Sequence, residues 1–132
     1  MTYVILTIVG IISLVGIFQF YMIRRSKKIV GSSIDLSQIS TEIRKALEKG
    51  KSLIYFYSPS CGPCKVQAPV IDKLKRELKN VVSIDISGDF RIARVFGVMG
   101  TPSTMIFENG IVKEMLVGTK SEEILRNAFN KN

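Results

Sequence analysis

Residues 3–23, YVILTIVGIISLVGIFQFYMI, run for 21 positions without a charged side chain. Sixteen of them are hydrophobic, and Thr7, Ser13 and Gln19 are the polar ones besides Gly10 and Gly16. As a helix at ~1.5 Å per residue the run spans roughly 30 Å, the thickness of a bilayer's hydrocarbon core. Tyr3 stands at one end and Phe20 and Tyr21 at the other, where aromatic rings gather at membrane interfaces. A core helix of this length in a water-soluble domain would carry a polar face. A cleaved signal peptide would carry basic residues before the run and a small-residue cleavage site after it. Met1-Thr2 supplies no basic side chain, and the first alanine is Ala46. The segment reads as a single membrane anchor.

The charges beside it set an expected orientation. Arg24, Arg25, Lys27 and Lys28 follow the apolar run directly, and no charged side chain precedes it. Lys and Arg favour the cytoplasmic side, so the sequence predicts an outside N-terminus and a cytoplasmic domain. The same cluster would rest on anionic headgroups, which makes the bilayer an expected partner. The division expected is an anchor with its basic flank over 1–28, a tether or short edge strand over 29–34, and one globular domain over 35–132. The net charge of +8 must be divided accordingly. Beyond Lys28, 15 Lys and Arg face 11 acids, a balance of +4. That is too little to argue for nucleic acid.

Absences narrow the chemistry. The chain has no His, which removes His-based triads, HExxH zinc sites and His pH switches. Its two Cys cannot build a disulfide framework, nor complete a four-ligand zinc site within one chain. No metal site is expected.

Periodicity sketches the domain. Leu36, Ile39, Ile43 and Leu47 predict a helix from Asp35 to Gly50, with a second N-cap choice at Ser40. Ser52 to Tyr57, SLIYFY, suits a strand buried on both faces. A helix follows from about Cys61 to Lys79, with Pro69 predicting a kink. Val81 to Ile86 reads as a strand and Phe90 to Phe96 as a short helix ended by Gly97. Thr104 to Phe107 and Ile111 to Val117 read as a hairpin turning at Asn109-Gly110. Ser121 to Phe129 closes the chain as a helix. This order predicts an α/β domain: a mixed central sheet flanked by helices, preceded by one transmembrane helix.

The segment Ser58-Pro59-Ser60-Cys61-Gly62-Pro63-Cys64-Lys65 carries the chemistry. A Cys-x-x-Cys pair where a strand meets a helix suits dithiol–disulfide exchange. Cys61 falls at the helix N-terminus, where free N–H groups and the helix dipole favour a thiolate. Cys64 lies one turn deeper, within reach of the first sulfur. Gly62 and Pro63 allow the tight entry, and a first-turn proline loses no needed N–H. The rival reading is half of a four-Cys zinc site shared between two copies. Placement after a buried strand, with Pro69 in the helix, favours redox.

With these residues in place, the chain resembles the thioredoxin family. The resemblance rests on Cys61-Gly62-Pro63-Cys64-Lys65, Pro69, the stretch Phe96-Gly97-Val98-Met99-Gly100-Thr101-Pro102, the hairpin Phe107-Glu108-Asn109-Gly110, and Val117-Gly118. It covers about 100 residues and implies the thioredoxin fold. It implies that Pro102 is cis and faces the disulfide. It further implies that Ser60, Gly100, Thr101, Pro102, Val117 and Gly118 line the substrate groove around Cys61. Three positions depart from the family pattern. Ser60 stands where the family usually has Trp. Tyr55 stands where it has a buried Asp, and Val81 takes the place of that acid's Lys partner. The family's carboxylate helps deprotonate the second Cys, so activation of Cys64 would fall to water or to the Tyr55 hydroxyl, or simply be slower, with a weaker proton relay.

The expected function is a membrane-anchored reductase of protein disulfides. The Cys61–Cys64 disulfide itself would be the redox group. No phosphate loop or dinucleotide fingerprint is present, so no bound cofactor is expected, and a thiol or partner reductase would donate electrons. The alternatives are an extracytoplasmic thioredoxin-like protein for cytochrome c maturation or disulfide repair, and a membrane-bound interaction module without turnover.

Overall fold

The computed structural model describes residues 1–131, with the side chains of Ser26 and Lys27 outside that description. The first helix, α1 (Thr2–Lys27), is continuous through the apolar run and into the basic cluster. Its Thr2–Arg25 portion is long and apolar enough to cross a membrane, and none of its apolar window is buried within the protein. The remaining elements are α2 (Thr41–Leu47), β1 (Ser52–Tyr57), α3 (Gly62–Glu77), β2 (Val81–Asp85), α4 (Phe90–Val95), β3 (Ser103–Glu108), β4 (Ile111–Val117) and α5 (Glu122–Asn130).

Among the described residues these strands form one sheet in the order β2-β1-β3-β4. β1 pairs parallel to β2 and antiparallel to β3, and β3 pairs antiparallel to β4. The SLIYFY run is the central strand, and Ser52 through Phe56 are all buried. Alternate β1 residues serve two cores. Ile54 and Phe56 pack with Leu47, Ala93 and Phe96 on the α2–α4 face. Leu53 and Tyr55 pack with Ile71, Leu74, Leu125 and Ala128 on the α3–α5 face. Coverage on both sides explains why β1 reads as a continuous apolar run rather than an alternating one. Full burial of each such aliphatic or aromatic side chain contributes about 1.5–3 kcal/mol.

The hairpin forms where expected. Asn109 and Gly110 take φ of 52° and 82°, so both central turn residues are left-handed, as a two-residue type I′ connection requires. The helix expected from Asp35 to Gly50 is divided instead. A single 3₁₀ turn occupies Leu36–Gln38, and α2 begins only after Ser40. The Asp35 carboxylate accepts from the Ser37 N–H at 2.9 Å, and Ser40 Oγ accepts from the Ile43 N–H. These local side-chain bonds compete with helix continuation and restart it one turn later.

Residues 29–34 form a docked turn. The Gly31 N–H donates to the Val112 carbonyl at 2.7 Å, and the Ile34 N–H donates to the Gly110 carbonyl. Ser33 makes a single antiparallel bridge to Ile111. The Ile29 side chain lies over Gly97, packed against the α2–α4 core. This short stretch covers part of the outer edge of β4 and holds the end of α1 against the domain.

Candidate active site

Register brings the site together at one end of the sheet. Phe56 of β1 pairs with Ser103 of β3, and Ser103 pairs with Val117 of β4. The segments continuing past this row are Ser58–Cys61, Gly100–Pro102 and Gly118. The Gly118 N–H donates to the Pro102 carbonyl at 2.9 Å, and Ser103 Oγ donates to the Gly100 carbonyl at 2.7 Å. The Thr101–Pro102 peptide is cis. Ser60, Gly100 and Thr101 share one cleft with Phe90 and Met99. Gly100 and Val117 share an adjoining apolar cleft with Met22 and Ile23 from the end of α1. Ser60, Gly100, Thr101 and Val117 are thus divided between two neighbouring clefts at this end of the sheet, and the end of α1 walls the second.

Cys61 and Cys64 form a disulfide. Cys61 is the N-cap of α3, with extended backbone at φ −80° and ψ 113°, and its Sγ accepts from the Cys64 N–H at 3.2 Å. Pro63 occupies the first turn. α3 continues through Pro69 to Glu77. The two sulfurs differ in access: Cys61 is half-buried, and Cys64 is only 4% exposed. Such a pair has an outer sulfur at a helix N-terminus, suited to a thiolate nucleophile, and an inner sulfur shielded from partners.

Behind Cys64 lies a cleft of about 270 Å³, lined by Cys64, Tyr55, Asp72, Lys75 and Ser83 among others. The Tyr55 hydroxyl donates to the Cys64 backbone carbonyl at 3.1 Å. Burial pushes the Tyr55 hydroxyl above its ordinary pKa, and neighbouring Tyr57 and Asp72 push the same way. The hydroxyl is thus held protonated as a donor to the backbone. Of the two acceptors expected for the Cys64 proton, this geometry favours water, which the cleft has room for.

Two residues of this region were not apparent from the sequence. Gln67 is fully buried on α3; its amide Nε2 donates to the Lys120 carbonyl at 3.1 Å, and its Oε1 accepts from the Lys120 N–H at 2.7 Å. This reciprocal pair ties the loop after Gly118 to the helix bearing Cys64. Asp72 is the other, an exposed carboxylate at the Tyr55 cleft. A glutamine at the apolar spacing of the helix, four residues before Ile71, was the available signal for the first. Of the basic residues following the apolar run, Arg24 lies over the Phe20 ring at 4.8 Å, and Arg25 and Lys28 line a cleft against the domain. The Lys27 side chain lies outside the described residues. Among the described residues no cluster of His, Cys, Asp and Glu is arranged to hold a metal.

Comparison with known proteins agrees with this geometry. The family profile Thioredoxin matches residues 33–131. A thioredoxin of Bacillus subtilis is 37% identical over 87 residues, covering 64% of this chain and 84% of its own length. One from Rickettsia felis is 32% identical over 83 residues, covering 61% and 79%. The structure of a mutant thioredoxin from Halobacterium salinarum superposes with a TM-score of 0.63 at 30% identity, over 70% of this chain and 83% of that one. Mitochondrial thioredoxin 3 of Saccharomyces cerevisiae shares the fold, with a TM-score of 0.61 at 24% identity over 82% of this chain and 99% of its own. With its Cys61–Cys64 disulfide, its mixed sheet and a profile match across nearly the whole globular part, the chain is a thiol–disulfide oxidoreductase and belongs to the thioredoxin family.

Proposed function

We propose that the protein is a membrane-anchored reductase of protein disulfides, with α1 crossing the bilayer and the thioredoxin domain on the cytoplasmic side. The observation that carries the catalytic part is the unequal placement of the two sulfurs, Cys61 half-buried at a helix N-terminus and Cys64 enclosed. The anchor reading is supported by the Thr2–Arg25 helix, and the side by the basic residues that follow it.

The cycle starts from the dithiol. Cys61 thiolate attacks one sulfur of a client disulfide; a Cys61–client bond forms, and the other client sulfur leaves as thiolate and takes a proton from water. Cys64 then loses its proton to water in the Tyr55 cleft and attacks Cys61 Sγ. The Cys61–Cys64 bond forms, the second client sulfur leaves as thiolate, and the client is reduced by two electrons. A thiol or partner reductase returns those electrons to the pair, so the cycle requires no bound cofactor. Groove residues Ser60, Gly100, Thr101, Pro102, Val117 and Gly118 would hold the client chain.

The full chain in detergent micelles tests this with insulin and dithiothreitol. Wild type is expected to reduce insulin, Cys61→Ser to be inactive, and Cys64→Ser to accumulate a mixed disulfide. An active Cys61→Ser variant would overturn the assigned roles. For sidedness, cells are treated with an impermeant thiol reagent after reduction. Slow labelling of Cys61 in intact cells and fast labelling after lysis is expected; fast labelling in both would place the domain outside.

A further inference from the structure

We propose that the cleft between the end of α1 and α4 is a binding site for the phosphate of an anionic phospholipid headgroup, and that its occupation seats the redox site against the bilayer. This rests on the reading of α1 as a membrane anchor.

The cleft has a volume of about 630 Å³ and is lined by Arg25, Lys28, Ser32 and Arg94, with Phe90 and Met99 at its apolar side. Three cations converge from two separate parts of the chain, the end of α1 and the α4 helix, and no carboxylate lines the same space. Among the described residues, none of the three is in an ion pair. The nearest acid on α4's own cap, Asp89, is engaged by Arg91 at 3.0 Å. Like charges brought together without a counter-charge repel, and an anion in their midst removes the penalty.

Position in the chain names the anion's source. The apolar run of 21 residues matches the roughly 30 Å hydrocarbon core, so the helix emerges from it at Arg24. Residues 24–28 add ~7 Å, which is about the depth of one headgroup layer. The cleft therefore opens at headgroup depth. The docked turn fixes it there, because Ile29 is packed over Gly97 and the Gly31 amide is bonded to β4. Phe90 is 77% exposed and Met99 47% exposed, apolar side chains without cover in the domain. Both also line the cleft that contains Ser60 and Thr101. A headgroup held by Arg25, Lys28 and Arg94 would turn this rim, and with it the mouth of the redox site, toward the lipid surface. Clients with disulfides close to the membrane would then be favoured.

The chain has no Trp, so Phe90→Trp introduces a single reporter at the rim. The full-length variant is reconstituted in vesicles of phosphatidylcholine alone, or mixed with phosphatidylglycerol, and flotation is recorded with indole emission. Flotation with both vesicles and a blue shift confined to the anionic ones is expected. The shift should be lost on adding Arg94→Gln or Lys28→Gln and kept with Arg94→Lys. Inorganic phosphate added to the neutral vesicles should not reproduce it. Equal emission in both vesicles, or a shift that survives Arg94→Gln, would overturn the pocket while leaving the anchor standing. A shift produced by inorganic phosphate in neutral vesicles would assign the site to free phosphate and sink the lipid proposal. Failure to float with either vesicle would remove the anchor, and the proposal with it.

Discussion

The Tyr55 hydroxyl donates a hydrogen bond of 3.1 Å to the backbone carbonyl of Cys64. One contact therefore links the central strand to the first turn of the helix that bears both cysteines. A carboxylate at this place would accept a proton from Cys64. A phenol aimed at a carbonyl, with its own pKa raised by burial, keeps its proton and acts as a brace. The chain has the fold of its family, with a tyrosine hydroxyl bonded to the Cys64 backbone.

Tyr55→Phe should then slow attack of Cys64 on the mixed disulfide by less than tenfold at neutral pH. The lost bond should cost about 0.5–1.5 kcal/mol of stability. Stopped-flow measurement of client thiol release separates the two effects. A hundredfold loss in a folded variant would make the phenol the proton acceptor after all. Asp72→Asn, which alters the carboxylate at the same cleft, should slow the step more than Tyr55→Phe if protons leave by that route.

Alkaline pH gives an independent test of Tyr55. Its pKa in the folded state lies above the ordinary 10.0, so the native protein holds this proton more tightly than the unfolded chain does. The resulting stability is fully present below pH 10.0 and is lost as pH rises from there through the folded-state value. Denaturant midpoints of the full chain in micelles, taken between about pH 9 and pH 11, should fall more steeply for wild type than for Tyr55→Phe. Parallel slopes would show that the hydroxyl titrates alike in both states.

Gln67→Ala removes both hydrogen bonds to Lys120 and leaves a buried void. The expected cost is about 2–4 kcal/mol. Because the pair holds the loop following Gly118, its loss should raise KM for insulin while leaving the reaction with a small disulfide nearly unchanged. Equal loss on both substrates would show that the bond serves only the stability of the fold.

Thr104→Val acts in the opposite direction. Thr104 lies opposite Tyr55 across the β1–β3 ladder, and its Oγ1 is buried without a hydrogen-bond partner among the described residues. Replacing the hydroxyl with a methyl group of similar shape removes an uncompensated desolvation cost. Stability should rise by about 1 kcal/mol. A destabilised variant would show that the hydroxyl has a partner in solution.

Local signals made much of this molecule readable beforehand. The uncharged run predicts α1 because helix length and apolarity need no tertiary information. Asn109-Gly110 predicts its turn because left-handed backbone restricts the residues that fit. Cys61 and Cys64 are legible because their spacing and the strand before them fix how their sulfurs meet. What stayed hidden depends on contacts distant in sequence. Gln67 stands at the apolar spacing of α3, but the partner that satisfies it, Lys120, is 53 positions away. Arg94 shares a cleft with Arg25 and Lys28 only because the turn at 29–34 brings those distant residues beside it. That turn reads as a tether or a short edge strand, and the choice rests on bonds to β4 rather than to its own neighbours. The break before α2 was visible only as a choice of caps, and short-range bonds at Asp35 and Ser40 decided it.

The docking of 29–34 has a sharp point of failure at Gly97. This residue has φ of +63°, and a Cβ placed on it would run into the tip of the Ile29 side chain. Left-handed backbone costs a non-glycine residue about 1–2 kcal/mol, so Gly97→Ala should destabilise the domain by that amount. Ile29 must also move, and it is the apolar contact that seats the turn on the α2–α4 core. The Gly31 and Ile34 amides, bonded to Val112 and Gly110, should then exchange with solvent faster, while amides within β1 lag behind. Ile29→Ala should speed the same two amides without the backbone cost, distinguishing loss of the contact from strain at residue 97. If both variants leave the exchange of Gly31 and Ile34 unchanged, the backbone bonds to β4 hold the turn without help from Ile29.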